Sequence, residues 1–289
     1  MARFKDYYSL TKPGVLYGNA ITAVAGFLLA SQGNVNVWLL IALTVGTTLI
    51  IASACALNNY LDQDIDAKMA RTKKRAIVAG IVPGSHAVIL SIVLGIVGLV
   101  TLVLYTNPLV VAIGITGFVV YVWLYGVLSK RLSIHGTLVG SVSGAMPILA
   151  GYCAVTGVID AGAIIVFLIL FLWQMPEFYS ISLYREKEYA AAGVPVISVV
   201  KGAKRTRIQI FFYTAAFVIA TALLTAFGYT GYIYLVIMMA LGGYWLWLAA
   251  KGLRIAESES DAWARRMFRF SLIILLAFCG LISATGLLA

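Results

Sequence analysis

Asn58-Asn59-Tyr60-Leu61-Asp62-Gln63-Asp64-Ile65-Asp66 ends a long apolar run and is followed by Arg71, Lys73, Lys74 and Arg75. Three of the chain's 11 acidic residues fall between positions 62 and 66. On a helix, Asn58, Asp62 and Asp66 are spaced i, i+4, i+8 and project from nearly one face. Asp64 points the other way, with Lys68 four residues on as a local partner. Two carboxylates one turn apart suit a hard divalent cation, and Mg²⁺ is usually held by one or two carboxylates plus substrate phosphates. Asn58 to Asp66 covers about 12 Å of helix. One small ion could hardly reach both ends, so more than one ion, or waters bridging to a diphosphate, is expected. Arg71 and Arg75, again four apart, would face the same anion. This face therefore predicts a magnesium-diphosphate site at the mouth of a buried cavity.

The surrounding chain fits a membrane setting. Of its 289 residues 62% are hydrophobic and 11% are charged, against about 25% charged in soluble domains. The apolar runs are long enough for bilayer-spanning helices and lack the alternation of a β-barrel. The expected spans are 15–30, 37–57, 87–104, 108–128, 136–157, 161–184, 208–228, 231–250 and 269–288. The sixth carries Pro176 and Glu177 and should kink there. Nine spans put all 21 Lys and Arg on the side of the N-terminus, and among the loop acids only Asp160 on the other. Basic loops stay in the cytoplasm, so the N-terminus is expected there. The same sorting accounts for the net charge of +10 without a nucleic-acid partner. Cys55, Cys153 and Cys279 lie far apart inside apolar runs and predict no disulfide. Neither a cleavable signal peptide nor a mitochondrial presequence is expected, and residues 1–289 read as one membrane-embedded domain.

The run Asn58-Asn59-x-x-Asp62-x-x-x-Asp66, with Lys68-Met69-x-Arg71-Thr72-Lys73-Lys74-Arg75 behind it, resembles the first aspartate-rich motif of the UbiA-type intramembrane prenyltransferases. Within that superfamily it looks most like the protohaem IX farnesyltransferases (haem O synthases), which carry Asn where Asn59 stands and Asp is general. Thr11-Lys12-Pro13-Gly14, Tyr125 through Lys130-Arg131, the run from Gly136 to Gly144, the run from Gly151 to Gly157, and Trp173-Gln174-Met175-Pro176 are similar as well.

The resemblance implies an all-α UbiA-type fold, nine helices around a central cavity capped by two polar loops. It implies transfer of the farnesyl group of farnesyl diphosphate to the 2-vinyl group of haem b, with addition of water, giving haem O and diphosphate. Mg²⁺ is the implied cofactor. The implied place is a bacterial cytoplasmic (inner) membrane with the active site facing the cytoplasm. Hand-over of product to a haem-copper terminal oxidase or a haem A synthase follows from the same likeness. Asp62 and Asp66, with Asn58, are the expected catalytic and metal-binding core, joined by Glu188 as a metal ligand. Asn59, Arg71, Arg75, Tyr125, Lys130, Gln174, Arg185, Lys187 and Tyr189 are expected to bind substrate. Two positions depart from the family: Glu177 stands where His is usual, and Glu188 where Asp is common. Glu177 is placed in the site with its role open. A different acceptor, such as a quinone precursor, and a non-enzymatic haem or anion carrier are the competing readings. The second would need charged or broken segments at mid-membrane rather than carboxylates clustered at a loop mouth.

Overall fold

Short polar residues start several of the long helices by capping their free backbone N–H groups. The Asn36 side chain accepts from Leu39 N, that of Asn107 from Val110 N, and that of Asp160 from Ala163 N. Pro13 and Pro108 occupy first-turn positions, where a missing N–H costs nothing. Gly157, at φ 69°, takes the left-handed turn that ends one helix.

The computed structural model describes residues 2–288. Among them nine helices are long and apolar enough to span a bilayer: Pro13–Ser31, Val37–Leu61, Gly84–Tyr105, Pro108–Leu132, Gly136–Thr156, Ala161–Tyr184, Ile197–Ala226, Tyr232–Gly252 and Glu257–Thr285. They are the first to ninth spans below. No strand occurs among the described residues, and their three cysteines are free and buried.

Two spans begin earlier than hydropathy suggests. The ninth helix reaches back to Ser260 because Trp263 and Met267 are buried and the Trp263 indole donates to Leu248 O. The seventh reaches back to Ile197, but Gly202 (φ 76°, ψ 169°) breaks its helical path. The sixth runs without interruption across Pro176. Short helices Phe4–Leu10, Gln63–Lys68 and Glu186–Ala192 lie between or before the spans.

Each span packs on the next, and the ninth returns to the first, so the helices close into a ring. The first and fifth also meet across it. A Cβ on Gly26 would run into the backbone oxygen of Ile148, and one on Gly151 into that of Ala23. Small residues let these backbones touch, as is common between helices in membranes. The central cavity is lined down to Thr22 on one helix and Ala150 on the other. This contact forms its floor. At the opposite end Ile65 and Met69 pack against Ala192 and Val194, clamping the two polar loops together.

Candidate active site

The cavity measures about 620 Å³, within the usual range for ligand pockets. Its walls are largely apolar, and its charged groups other than Glu177 gather at one mouth. Asn58, Asp62 and Asp66 all line it, at 2%, 1% and 3% exposure. They do not share one continuous helix as expected. The second span stops at Leu61, Asp62 (φ −93°, ψ 5°) caps it, and a new short helix begins at Gln63. The i→i−4 bonds from Asp62 N to Asn58 O and from Asp66 N to Asp62 O persist across the break, and the three side chains still line one cavity.

Each carboxylate is already paired. Lys130 Nζ lies 2.5 Å from Asp62 Oδ2, and Arg75 Nη1 2.5 Å from Asp66 Oδ2. Thr72 Oγ1 donates to Asp66 O at 2.9 Å, which folds the basic loop back over the acidic helix. Arg71 lines the cavity with no ion-pair partner among the described residues. Asp64 is not paired with Lys68. Arg131 reaches it instead through both guanidinium nitrogens at 2.8 Å, because the fourth span ends beside the break at Asp62. That guanidinium holds the Asp64 carboxyl down to about 2.

Tyr125 and Lys130 come together through a feature that their spacing alone does not announce. Val120–Ser129 forms a π-helix, and Lys130 N donates to Tyr125 O five residues back. One wide turn thus stacks Lys130 over Tyr125, and both line the cavity with Tyr121. Such turns concentrate at functional sites.

From the sixth span Gln174 and Glu177, and from the short helix after it Tyr189, also line the cavity. Burial raises the Tyr189 phenol, so it stays a proton donor. Glu177 is 8% exposed and has neither an ion-pair nor a hydrogen-bond partner among the described residues.

Four expected site residues lie outside the lining. Asn59 is buried and donates to Leu10 O at 2.8 Å and Cys55 O at 2.9 Å, which ties the N-terminal helix down. Arg185 pairs with Glu188 at 2.9 Å on the same short helix. Lys187 is exposed. Glu188 therefore does not join Asp62 and Asp66, and no group of three metal-ligating side chains forms among the described residues.

Lys12 is the site residue that sequence reasoning missed. It lines the cavity and its ammonium donates to Asn58 Oδ1. Burial pulls it down to about 8. Its backbone is left-handed (φ 52°) ahead of Pro13, a strained conformation that aims the side chain inward. The available signal was a Lys directly before a helix-starting Pro at a membrane boundary.

The pattern of clustered carboxylates and cations at the mouth of an intramembrane cavity has known counterparts. The model of the UbiA prenyltransferase family matches residues 19–273. The chain belongs to the UbiA prenyltransferase family. It is an enzyme family, and this member is 48% identical to protoheme IX farnesyltransferase 2 of Chromobacterium violaceum over 98% of this chain and 94% of that one. It is 45% identical to the protoheme IX farnesyltransferase of Citrobacter koseri, over 97% and 94%. Among solved structures it resembles a digeranylgeranylglyceryl phosphate synthase (TM-score 0.80, 19% identity, 96% of this chain and 98% of that one). It also resembles a UbiA homologue from Archaeoglobus fulgidus bound to GPP and Mg²⁺ (TM-score 0.72, 13% identity, 96% and 99%). At those identities the likeness shows the shared fold.

Proposed function

We propose that this UbiA prenyltransferase transfers the farnesyl group of farnesyl diphosphate to the 2-vinyl group of haem b, with addition of water, giving haem O and diphosphate. The whole chain acts as one domain in a bacterial cytoplasmic membrane, with the polar mouth toward the cytoplasm. The observation that carries the chemistry is the convergence of Asp62, Asp66, Arg71, Arg75, Lys130 and Lys12 on one end of an apolar cavity. The acceptor follows from the names of relatives 45–48% identical over nearly the full chain.

The donor set fits magnesium. Asp62 Oδ1 is buried and accepts no hydrogen bond, and Asn58 Nδ2 is buried without an acceptor. An orphaned carboxylate oxygen beside a second carboxylate is a site for a hard cation with oxygen preference. Asp62 and Asp66 would hold Mg²⁺, with Asn58 beside them. When bound, the ion supplies positive charge to the departing diphosphate.

The chain's own residues do the rest. Arg71, Arg75, Lys130 and Lys12 bind the diphosphate oxygens and stabilise the charge that grows as the allylic C–O bond breaks. Tyr125 and Tyr189 can donate to the same oxygens. The apolar walls contributed by Ile50, Phe118 and Leu272 exclude bulk water from the allylic cation, so the electron-rich vinyl reaches it first. Product would pass to a haem A synthase or a haem-copper oxidase in the same membrane.

The test is an assay of purified protein in detergent with haem b, farnesyl diphosphate and Mg²⁺, read by the mass of the haem. A product heavier by a farnesyl group plus water, absent with Asp62→Ala, is expected. A folded protein that leaves haem unchanged would move the reading to another acceptor.

A further inference from the structure

A farnesyl cation captured by a vinyl group leaves the problem of the water. The vinyl π pair forms the new bond to farnesyl C1 while the C1–O pair departs with diphosphate. The inner vinyl carbon is then electron-deficient. A water lone pair must bond to it, and that water must lose a proton to a base within the cavity. The cations at the mouth cannot serve while they hold diphosphate.

Two acceptors sit apart from them. Gln174 and Glu177 are three residues apart on the sixth span and both line the cavity, so they share a helix face. Gln174 Nε2 donates to Leu170 O at 3.0 Å and Ser141 O at 3.2 Å. Two carbonyl acceptors fix the amide orientation, since an amide oxygen could bond neither. Oε1 is thereby turned to the fifth span, against Gly144, where a Cβ would occupy its place. Among the described residues nothing donates to Gln174 Oε1 and nothing pairs with Glu177. An ionisable side chain inside a membrane span with no protein partner marks function rather than packing.

We propose that Gln174 Oε1 and the Glu177 carboxylate together hold the attacking water, and that Glu177 takes its proton. Both groups accept, so both water hydrogens point to them and a lone pair points into the cavity toward the cation. Gln174 is the positioning residue and Glu177 the catalytic base. The proton leaves later with the released diphosphate. This assignment rests on haem farnesylation as the reaction.

Without a base to activate the water, the cation can instead lose a proton from the adjacent CH₂ to the released diphosphate and give an alkene lighter than haem O by one water. The experiment compares wild type, Glu177→Gln, Glu177→His and Gln174→Leu in ¹⁸O-labelled water, reading haem products by mass. Binding competence of each variant is checked by its thermal shift with farnesyl diphosphate and Mg²⁺. The ratio of hydroxylated to alkene product is expected to fall about 100-fold in Glu177→Gln, as for a lost general base. Gln174→Leu should lower it less, and Glu177→His should restore it with ¹⁸O in the hydroxyl. A wild-type ratio in Glu177→Gln overturns the assignment. So does the loss of every farnesylated product in a variant that still binds, which would move Glu177 to the transfer step. Wild type making no farnesylated haem would overturn the reaction itself, before any variant is compared.

Discussion

Lys130 and Asp62, 68 residues apart in the chain, form an ion pair of 2.5 Å in which the carboxylate is 1% exposed. The pair joins the end of the fourth span to the end of the second. It leaves Asp62 Oδ1 without a hydrogen bond, the Arg131 guanidinium standing 3.8 Å away. Removing one member of a buried pair strands the other and costs about 3 kcal/mol, whereas removing both is far milder. Lys130→Met and Asp62→Asn should each lower the thermal midpoint in detergent, and the double variant should recover most of the loss. All three should be inactive. Additive losses in the double variant would show that the pair does not stabilise the fold.

The same pairing couples the two ligands. Asp62 and Asp66 are held by the cations Lys130 and Arg75, so each set is partly occupied by the other. Mg²⁺ alone competes with two ammonium or guanidinium groups, and diphosphate alone with two carboxylates. Adding both lets each set exchange its partner. Mg²⁺ and inorganic diphosphate together should therefore raise the thermal midpoint by more than the sum of their separate shifts. Chelating the metal with EDTA should abolish the diphosphate effect.

Lys12 adds a cation from the start of the first span, through its bond to Asn58 Oδ1. A hydrogen bond to a charged group is worth about 1.5–3 kcal/mol, or about 10–100-fold in binding. Lys12→Met should raise the KM for farnesyl diphosphate by that factor with the KM for haem little changed, and Lys12→Arg should recover part of it. Equal effects on both substrates in steady-state kinetics would place Lys12 in the fold rather than at the diphosphate.

Asp64 sets a small acid dependence. Arg131 holds its folded carboxyl at about 2, below the ordinary 3.8. A depressed acid stabilises the fold fully above its unfolded value and loses that contribution as pH falls from 3.8 toward 2. The Asp64 side chain is 58% exposed, so solvent screening keeps the contribution to about 0.5 kcal/mol. Asp64→Asn should flatten that part of a stability-against-pH curve, lowering the stability at neutral pH by about 0.5 kcal/mol and leaving it unchanged at the acid end.

Gly26 tests the floor of the cavity. Its missing side chain is replaced by the backbone oxygen of Ile148, which cannot rotate away. Gly26→Ala should wedge the first and fifth spans apart and cost about 1–3 kcal/mol by overpacking. Gly243→Ala, where an added methyl meets nothing within 4 Å, is the control and should leave the midpoint unchanged or raised.

The spans and the acidic face were legible because both are local. Twenty apolar residues announce a membrane helix by themselves, and capping residues such as Asn107 and Asp160 mark its ends. Asn58, Asp62 and Asp66 share a cavity wall through spacing that a small break does not undo. What escaped depends on partners distant in sequence. Arg131 outcompetes Lys68 for Asp64 because the fourth span ends against it, a fact of packing rather than pattern. The π-turn beneath Lys130 has no compositional mark, and Lys12 looks like any boundary lysine until Asn58 is placed beside it. Glu188, a reasonable ligand by position, is turned to Arg185 by a helix of its own.

The ring is closed by its last member. Phe268, Leu272 and Leu275 of the ninth span line the cavity, and the Trp173 indole donates to Ser271 O across the joint. A ribosome delivering this chain inserts every acidic and basic group of the mouth before that wall exists. Until the final helix arrives, the half-built cavity stands open to lipid and interfacial water, where an ionised prenyl chain would be quenched at once. Transfer to the acceptor therefore waits for the ninth span, and a chain truncated before Phe268 should make no farnesylated haem.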